Sequence, residues 1–123
     1  MVGGIQRGRH PPLALCDEEI QIRNPPDFPV RGLFQGYDGV RRWRDQVFDI
    51  FTNPRVEPED IVDVHGDGTT VVMLLRSTGT ASYTGIKVDY EWGAVWTIRD
   101  GKLLLAQGYL NRADALEAAG LRE

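Results

Sequence analysis

The feature of this sequence that most constrains its fold is an alternating segment near the C-terminus. From Lys87 to Arg99 every second residue is apolar, a period of two that is typical of a half-buried β-strand. The residues on that face are Val88, Tyr90, Trp92, Ala94, Trp96 and Ile98. Asp100-Gly101 follows, a pair that favours tight hairpin turns, and Lys102–Leu110 is the next predicted strand. The chain is therefore predicted to contain an antiparallel sheet.

The first half of the chain contains one clear amphipathic helix. From Tyr37 to Thr52 apolar residues recur at helical spacing, with Asp38 as the predicted N-cap and Asn53-Pro54 as the stop signal. The apolar stripe consists of Val40, Trp43, Val47, Ile50 and Phe51. Before the helix, Glu18–Asn24 alternates in polarity and predicts a short strand.

The remaining segments place the helices apart from the strands. Leu13–Asp17 is predicted to end a helix, and the prolines and glycines from 25 to 36 predict an irregular loop. Arg55–His65 is a mixed run, Thr70–Ser82 predicts a long strand, and Asn111 is the predicted N-cap of a C-terminal helix. Helices segregated from an antiparallel sheet define the α+β class.

Length and composition indicate one soluble domain. The 123 residues suffice for a single core, and we expect a flexible arm over 1–12 followed by a domain over 13–123. The net charge of −4 argues against a nucleic-acid partner. No apolar run approaches the roughly 18 residues of a membrane span, and no signal-peptide stretch begins the chain. With Cys16 as the one cysteine there is no intrachain disulfide, which fits a cytoplasmic protein.

Several motifs, in the right order, make the chain resemble a known family. They are GYDGVRRW at 36–43, GTASYTGIKVDYEWGAVWTIRDGKL at 79–103, NRADALEAAGL at 111–121 and LALCDEEIQIRNPPDFPVRGLFQG at 13–36. Over about residues 7–121 the chain resembles the SnoaL-like branch of the nuclear transport factor 2-like superfamily. The resemblance implies a cone: a strongly curved antiparallel sheet with helices over its concave face and an apolar pocket between them. It also implies a homodimer formed through the sheet. Relatives begin with a long helix that we expect to be truncated here, so that the pocket is open on that side, or another chain covers it, or the start codon is placed too far downstream.

The positions that carry chemistry in relatives are occupied here by residues that cannot transfer protons. Ketosteroid isomerases of the superfamily use an aspartate before a proline as the base, and the matching residue is Asn24, whose amide is not a base. Their acidic oxyanion donor and the aspartate of polyketide cyclases match Ala94, and the cyclase histidine matches Ala106. A mechanism borrowed from a relative is therefore disfavoured, and the catalytic residues stay unassigned.

The expected pocket face is aromatic and small. Its predicted ligand-contacting residues are Asn24, Trp43, Tyr90, Trp92, Ala94 and Trp96. Aromatic walls with few polar groups suit a flat, apolar small molecule. The alternative is that the aromatic residues form an ordinary core and that Asn24 is a turn residue before a proline.

Other polar residues give weaker signals. Asp63, His65 and Asp67 cluster, but over a GDG sequence they indicate turn chemistry rather than a metal site. Arg76 lies in an apolar strand and either anchors an anionic ligand group or faces outward. We expect no metal and no cofactor.

Two functional hypotheses follow, with a weaker third. The first is a small hydrophobic-molecule-binding protein that lacks the acid and base of its relatives. The second is an isomerase, cyclase or dehydratase on a hydrophobic carbonyl compound, polarised by Tyr90 or Asn24. The third is a non-catalytic dimerisation module.

Overall fold

The computed structural model describes residues 13–25, 28, 30 and 33–121. The arm predicted over residues 1–12 lies outside the described residues, and so does the segment where the first helix is predicted to be truncated. Within them the elements are two helices, one short 3-10 turn over Leu13–Leu15 and a six-stranded sheet. The strands are β1 (Cys16–Arg23), β2 (Leu33–Gln35), β3 (Phe51–Asp63), β4 (Thr70–Ala81), β5 (Lys87–Arg99) and β6 (Lys102–Tyr109), and the helices are α1 (Gly36–Ile50) and α2 (Arg112–Ala118).

The sheet is a curved meander completed by the N-terminal strands. Its spatial order is β2-β1-β6-β5-β4-β3. Strands β3 to β6 pair antiparallel in sequence order, whereas β1 runs parallel to β6, so the sheet is mixed. The predicted strand over 87–99 is confirmed, and so is its turn: Asp100 and Gly101 have φ of 53° and 76°, the left-handed pair that a two-residue hairpin requires.

The two helices pack on opposite faces of the sheet. Trp96 and Ala106 pack against the core cluster that includes Val40 of α1, so α1 covers the concave face. Gly93 points to the other face, where an added Cβ would stand 2.6 Å from the Cβ of Ala115 in α2. The cone-shaped α+β fold is confirmed, with α2 on its outer face.

Three local predictions at the ends of α1 are wrong. The helix begins at Gly36, immediately after β2, so Asp38 lies inside the first turn and pairs with Arg41 instead of capping. Residues 33–35, expected in an irregular loop, form β2 because they pair with β1. At the other end Phe51 already pairs with Ala81 in the sheet, and the helix therefore ends before Asn53.

Of the other segment predictions, some differ from the structure at the ends of the element and others are confirmed. Leu13–Asp17 gives only the 3-10 turn, because the chain enters β1 at Cys16. The mixed run after α1 is one continuous strand, β3, with register shifts around Pro54 and Pro58. The predicted cap of α2 is confirmed: the Asn111 side chain accepts a hydrogen bond from the backbone N–H of Asp114 at 2.8 Å.

Candidate functional site

A cleft opens at one end of the concave face, between α1 and the β3–β4–β5 sheet. It encloses about 610 Å³ including the solvent at its mouth, of which about 50 Å³ is open to the centres of water molecules. Its lining comprises Asn24, Pro25, Phe28, Trp43, Val47, Phe51, Pro54, Arg55, Val56, Ser77, Thr78, Val88, Tyr90, Trp92, Tyr109 and Leu110. One buried water needs roughly 10–15 Å³ on this measure, so the interior holds a few waters or one small flat group.

Four of the six predicted pocket residues meet at this cleft. Asn24, Trp43, Tyr90 and Trp92 line it, from the end of β1, from α1 and from β5. Alternation along β5 puts Tyr90 and Trp92 on the same face, and the curvature of the sheet brings that face against α1. The cleft therefore forms where the alternating segment begins.

Ala94 and Trp96 lie on the same face of β5 but outside the cleft lining, as far as the described residues show. Ala94 is 3% exposed in a core cluster with Met73 and Leu75, and Trp96 packs against the same cluster. For these two positions the structure favours the core interpretation. Gly108 of β6 is also closely packed, because a Cβ added there would stand 3.2 Å from Cδ of Pro25 and 3.6 Å from the ring of Trp92.

The orientation of the Asn24 amide follows from its two neighbours. The indole Nε1 of Trp43 can only donate, and it donates to Asn24 Oδ1 at 3.1 Å. The backbone oxygen of Val30 can only accept, and it receives a hydrogen bond from Asn24 Nδ2 at 2.8 Å. The amide therefore ties the loop after β1 to α1, and both of its polar atoms are engaged.

A second polar group lies on the sheet side of the cleft. Ser77 of β4 is 7% exposed and stands directly opposite Tyr90 in the sheet register. Its Oγ accepts a hydrogen bond from Trp92 Nε1 at 2.7 Å. Burial raises the pKa of Tyr90 above its usual value of 10.0, and a hydrogen bond from Ser77 opposes that rise. The phenol is therefore neutral at physiological pH.

The charge of the cleft comes from one cation. Within the described lining Arg55 is the only charged residue; its side chain is 53% exposed at the mouth and lies 3.7 Å from Glu57. No carboxylate or imidazole is part of the described lining. A base that removes a proton from carbon must lie within hydrogen-bond reach of it, and these lining residues supply none.

The remaining candidate residues lie elsewhere. Arg76 faces outward from the sheet and pairs with Glu59 and Asp89, so of the two alternatives the outward one holds. Asp63 accepts hydrogen bonds from the N–H groups of Gly66 and Gly68, which confirms the turn chemistry expected there. Among the described residues no group of three or more metal-binding side chains comes together.

Cys16 behaves as a buried apolar residue. It is 1% exposed beside Ile20 and Leu103, and burial raises the pKa of its thiol. In the described part of the chain no helix has the length and apolar character needed to cross a bilayer.

Sequence reasoning missed several lining residues. The sequence does not place Ser77 or Val56 at the cleft, because the register of β4 depends on the 82–86 connection, whose geometry is not fixed by residue type alone. Once Ser77 is placed opposite Tyr90, the two-residue period of β4 puts Leu75 and Met73 on the same face. Phe28 follows a stretch of prolines that gives no periodic signal.

Comparisons with known proteins agree with this geometry. The sequence model of the SnoaL-like domain matches residues 12–105. An NTF2-like protein from Burkholderia thailandensis superposes with a TM-score of 0.72 at 19% identity, covering 88% of this chain and 81% of that one. TerC, co-crystallised with polyporic acid, gives a TM-score of 0.69 at 18% identity, covering 88% and 82%.

A third solved structure has the same fold. A candidate SnoaL-like polyketide cyclase from Jannaschia sp. CCS1 gives a TM-score of 0.65 at 16% identity, covering 78% of this chain and 67% of that one. With sequence identities of 16–19%, these three likenesses show that the fold is shared. No curated protein matches the sequence significantly.

Proposed function

The chain belongs to the SnoaL-like domain family, and from this we propose that it binds a small, flat, apolar molecule in the aromatic-lined cleft. The observation that carries the proposal is the wall of Trp43, Tyr90 and Trp92 around open space. Large aromatic side chains that close against each other would stabilise a core, whereas an open cleft between them leaves apolar surface that a ligand can cover.

The proposal is for binding, because the described lining contains no carboxylate or imidazole that could act as a base. Asn24, at the position of a catalytic base in ketosteroid isomerases, holds the loop after β1 to α1 through two hydrogen bonds. Ala94, at the position of a catalytic acid, is part of the core. TerC with polyporic acid is a fold neighbour that carries an organic ligand, which supports testing this class of compound.

A carbonyl isomerase, cyclase or dehydratase is the second candidate. One observation favours it: the neutral phenol of Tyr90 lines the cleft and can polarise a carbonyl oxygen. The reaction also requires a base, and Arg55, the one charged residue of the described lining, is not one. Turnover of an enolisable ketone by the purified protein would favour this candidate over binding alone.

A pair of tryptophan substitutions tests the proposed site. Val88 lines the cleft, and we expect Val88→Trp to fill part of it. Ile86, two residues earlier and 63% exposed, is outside the described lining and gives the control Ile86→Trp. A panel of steroids, polyketides and aromatic acids is screened by thermal shift. At ten times its Kd a ligand stabilises the protein by about 1.4 kcal/mol, which raises Tm by roughly 5 °C.

We expect that a stabilising compound loses its effect in Val88→Trp and keeps it in Ile86→Trp. The Tm of each variant without ligand shows that it folds. No stabilisation by any compound, or equal stabilisation of both variants, would contradict the proposed site.

A further inference from the structure

The indole ring of Trp92 is held at two ends on the concave face of the sheet. Its Nε1 donates a hydrogen bond to Ser77 Oγ of β4 at 2.7 Å. At the other end of the ring, Cζ3 lies 3.6 Å from where a Cβ added to Gly108 of β6 would stand. The strands β4 and β6 lie on either side of β5, each roughly 4.8 Å from it. The ring therefore extends along the sheet surface and turns one face toward the cleft.

The hydroxyl of Ser77 fixes the Nε1 end of that ring. Ser77 is 7% exposed, and among the residues that the structure describes it is the only polar one that is buried. An indole N–H can only donate, and one that is shielded from water costs free energy when it has no acceptor. The Ser77 oxygen therefore favours the ring orientation in which Trp92 reaches it.

Trp43 of α1 is held in a similar way on the helix side of the cleft. Its Nε1 donates to Asn24 Oδ1 at 3.1 Å, and the Asn24 amide is fixed in turn by its 2.8 Å hydrogen bond to the Val30 carbonyl. Both indole N–H groups of the cleft thus have protein acceptors. What the two rings offer a ligand is their flat π faces and carbon edges, which favour stacking with another aromatic ring.

We propose that Ser77 and Asn24 are positioning residues that hold the indoles of Trp92 and Trp43 as the walls of a preformed slot, so that the cleft selects planar aromatic ligands over saturated ones of the same skeleton. Side chains that are fixed before the ligand arrives need little further ordering on binding, which favours a ligand that fits them. A puckered saturated ring buries similar apolar area but cannot stack on an indole.

The inference rests on the proposed binding function, and a matched ligand pair separates the two. 1-Indanone and its saturated counterpart octahydroinden-1-one share a bicyclic skeleton and a carbonyl group, but only indanone contains a planar aromatic ring. Their Kd values are measured by NMR titration for the wild type and for Ser77→Ala and Asn24→Leu, which remove the acceptors of the two indoles.

Each variant has a matched control. Ser82→Ala removes an exposed serine hydroxyl that lies 3.1 Å from Thr52 Oγ1, outside the described lining of the cleft. Asn24→Asp retains an oxygen that can accept from Trp43 but loses the bond to Val30. It therefore disturbs the loop as Asn24→Leu does while leaving the indole its acceptor. Its charge acts on both ketones alike, so the ratio of their affinities still reports on the ring.

We expect the wild type to bind indanone more tightly than octahydroindenone by roughly two- to tenfold, the effect of one stacked aromatic pair. Ser77→Ala and Asn24→Leu each bring that ratio closer to one, whereas Ser82→Ala and Asn24→Asp preserve it. In ¹⁵N-labelled protein without ligand, Ser77→Ala shifts mainly the indole signal of Trp92, and Asn24→Leu mainly that of Trp43. If Asn24→Leu fails to fold, the two serine variants decide the question.

Equal affinity of the wild type for the two ketones would overturn the proposed slot and leave the binding function intact. The same conclusion follows from an unchanged ratio in Ser77→Ala or in folded Asn24→Leu, or from an equal loss in Ser82→Ala. Binding of neither ketone would overturn both proposals.

Discussion

The side chain of Asn24 links two parts of the molecule that the sequence separates. Its oxygen receives the indole hydrogen of Trp43, and its nitrogen donates to the carbonyl of Val30, which is itself buried in a core cluster with Phe34. An aspartate, as found at the matching position in ketosteroid isomerases, would keep the first bond and lose the second. The amide is therefore suited to holding the loop.

Asn24→Asp tests this structural role. At neutral pH a carboxylate oxygen would face the Val30 carbonyl, so we expect the free energy of unfolding in urea to fall by about 1–3 kcal/mol. Asn53→Asp is the control: Asn53 is exposed, and its left-handed backbone (φ 52°) is one that Asp also tolerates, so the change stays within about 0.5 kcal/mol. Equal stability of the two variants would show that the Val30 bond contributes little.

At the residue scale the sequence predicts which face of a strand a side chain lies on better than it predicts what surrounds that side chain. The alternation of β5 correctly places Tyr90 and Trp92 on one face with Ala94 and Trp96. It does not show where along that face α1 stops covering the sheet, because that depends on contacts between Val40 and residues of β1 and β6. The boundary between core and cleft is a tertiary property, and for that reason only part of the predicted set lines the cleft.

Among the elements, α2 is attached to the sheet by an apolar contact and by a separate set of polar contacts. Its apolar contact is the close approach of Ala115 to Gly93, a position where any larger residue would collide. Its polar contacts come from Arg112, which donates to the Leu75 carbonyl at 2.9 Å and pairs with Glu59 and Glu91. The Arg112 Nε is buried without an acceptor, which offsets part of that gain.

The pairing of Glu59 with Arg112 predicts how acid weakens the attachment of α2. The hydrogen bond from Arg112 lowers the pKa of Glu59 below 4.5, and the charge of Arg76 adds to it. A lowered pKa in the folded state means that the stabilisation is complete above about pH 4.5 and is lost as the pH falls through the folded-state pKa. Asp89 pairs with Arg76 and Glu91 pairs with Arg112, so both carboxylates belong to the same network of ion pairs as Glu59.

We therefore expect Glu59→Gln to lose less stability than the wild type when the pH is lowered from 6 to 3. Urea midpoints measured across that range provide the comparison. Arg112→Gln should flatten the acid limb in the same way, and the double variant should be no flatter than either single one. Parallel curves for the wild type and Glu59→Gln would contradict the pairing.

Element boundaries were predictable where local chemistry determines them. The backbone preferences of Asp100 and Gly101 are enough to form the turn between β5 and β6. The side chain of Asn111 is enough to cap α2. The start of β3 was not predictable, because Phe51 continues the apolar stripe of α1 in sequence but pairs with Ala81 in the structure. Long-range pairing overrides helical periodicity there.

For the whole molecule, the cone fold follows from the order of elements, while assembly stays a prediction. The outer face of the sheet carries α2 over part of β5, so a homodimer through the sheet would have to use the surface beside that helix. Sedimentation of the purified protein measures the oligomeric state directly.

The site also depends on the whole molecule, because its walls come from the loop after β1, from α1 and from four strands. The three tryptophans of the chain report on it separately. The indole N–H groups of Trp43 and Trp92 lie at the cleft and donate to Asn24 and Ser77, whereas Trp96 packs in the core. Their three indole signals can be assigned by replacing one tryptophan at a time with phenylalanine.

A titration of ¹⁵N-labelled protein with 1-indanone, followed through these signals, tests directly whether the aromatic cleft is a ligand site. We predict that the signals of Trp43 and Trp92 shift together with one Kd, while that of Trp96 moves far less. Absence of any shift, or a largest shift at Trp96, would contradict a binding site at this cleft.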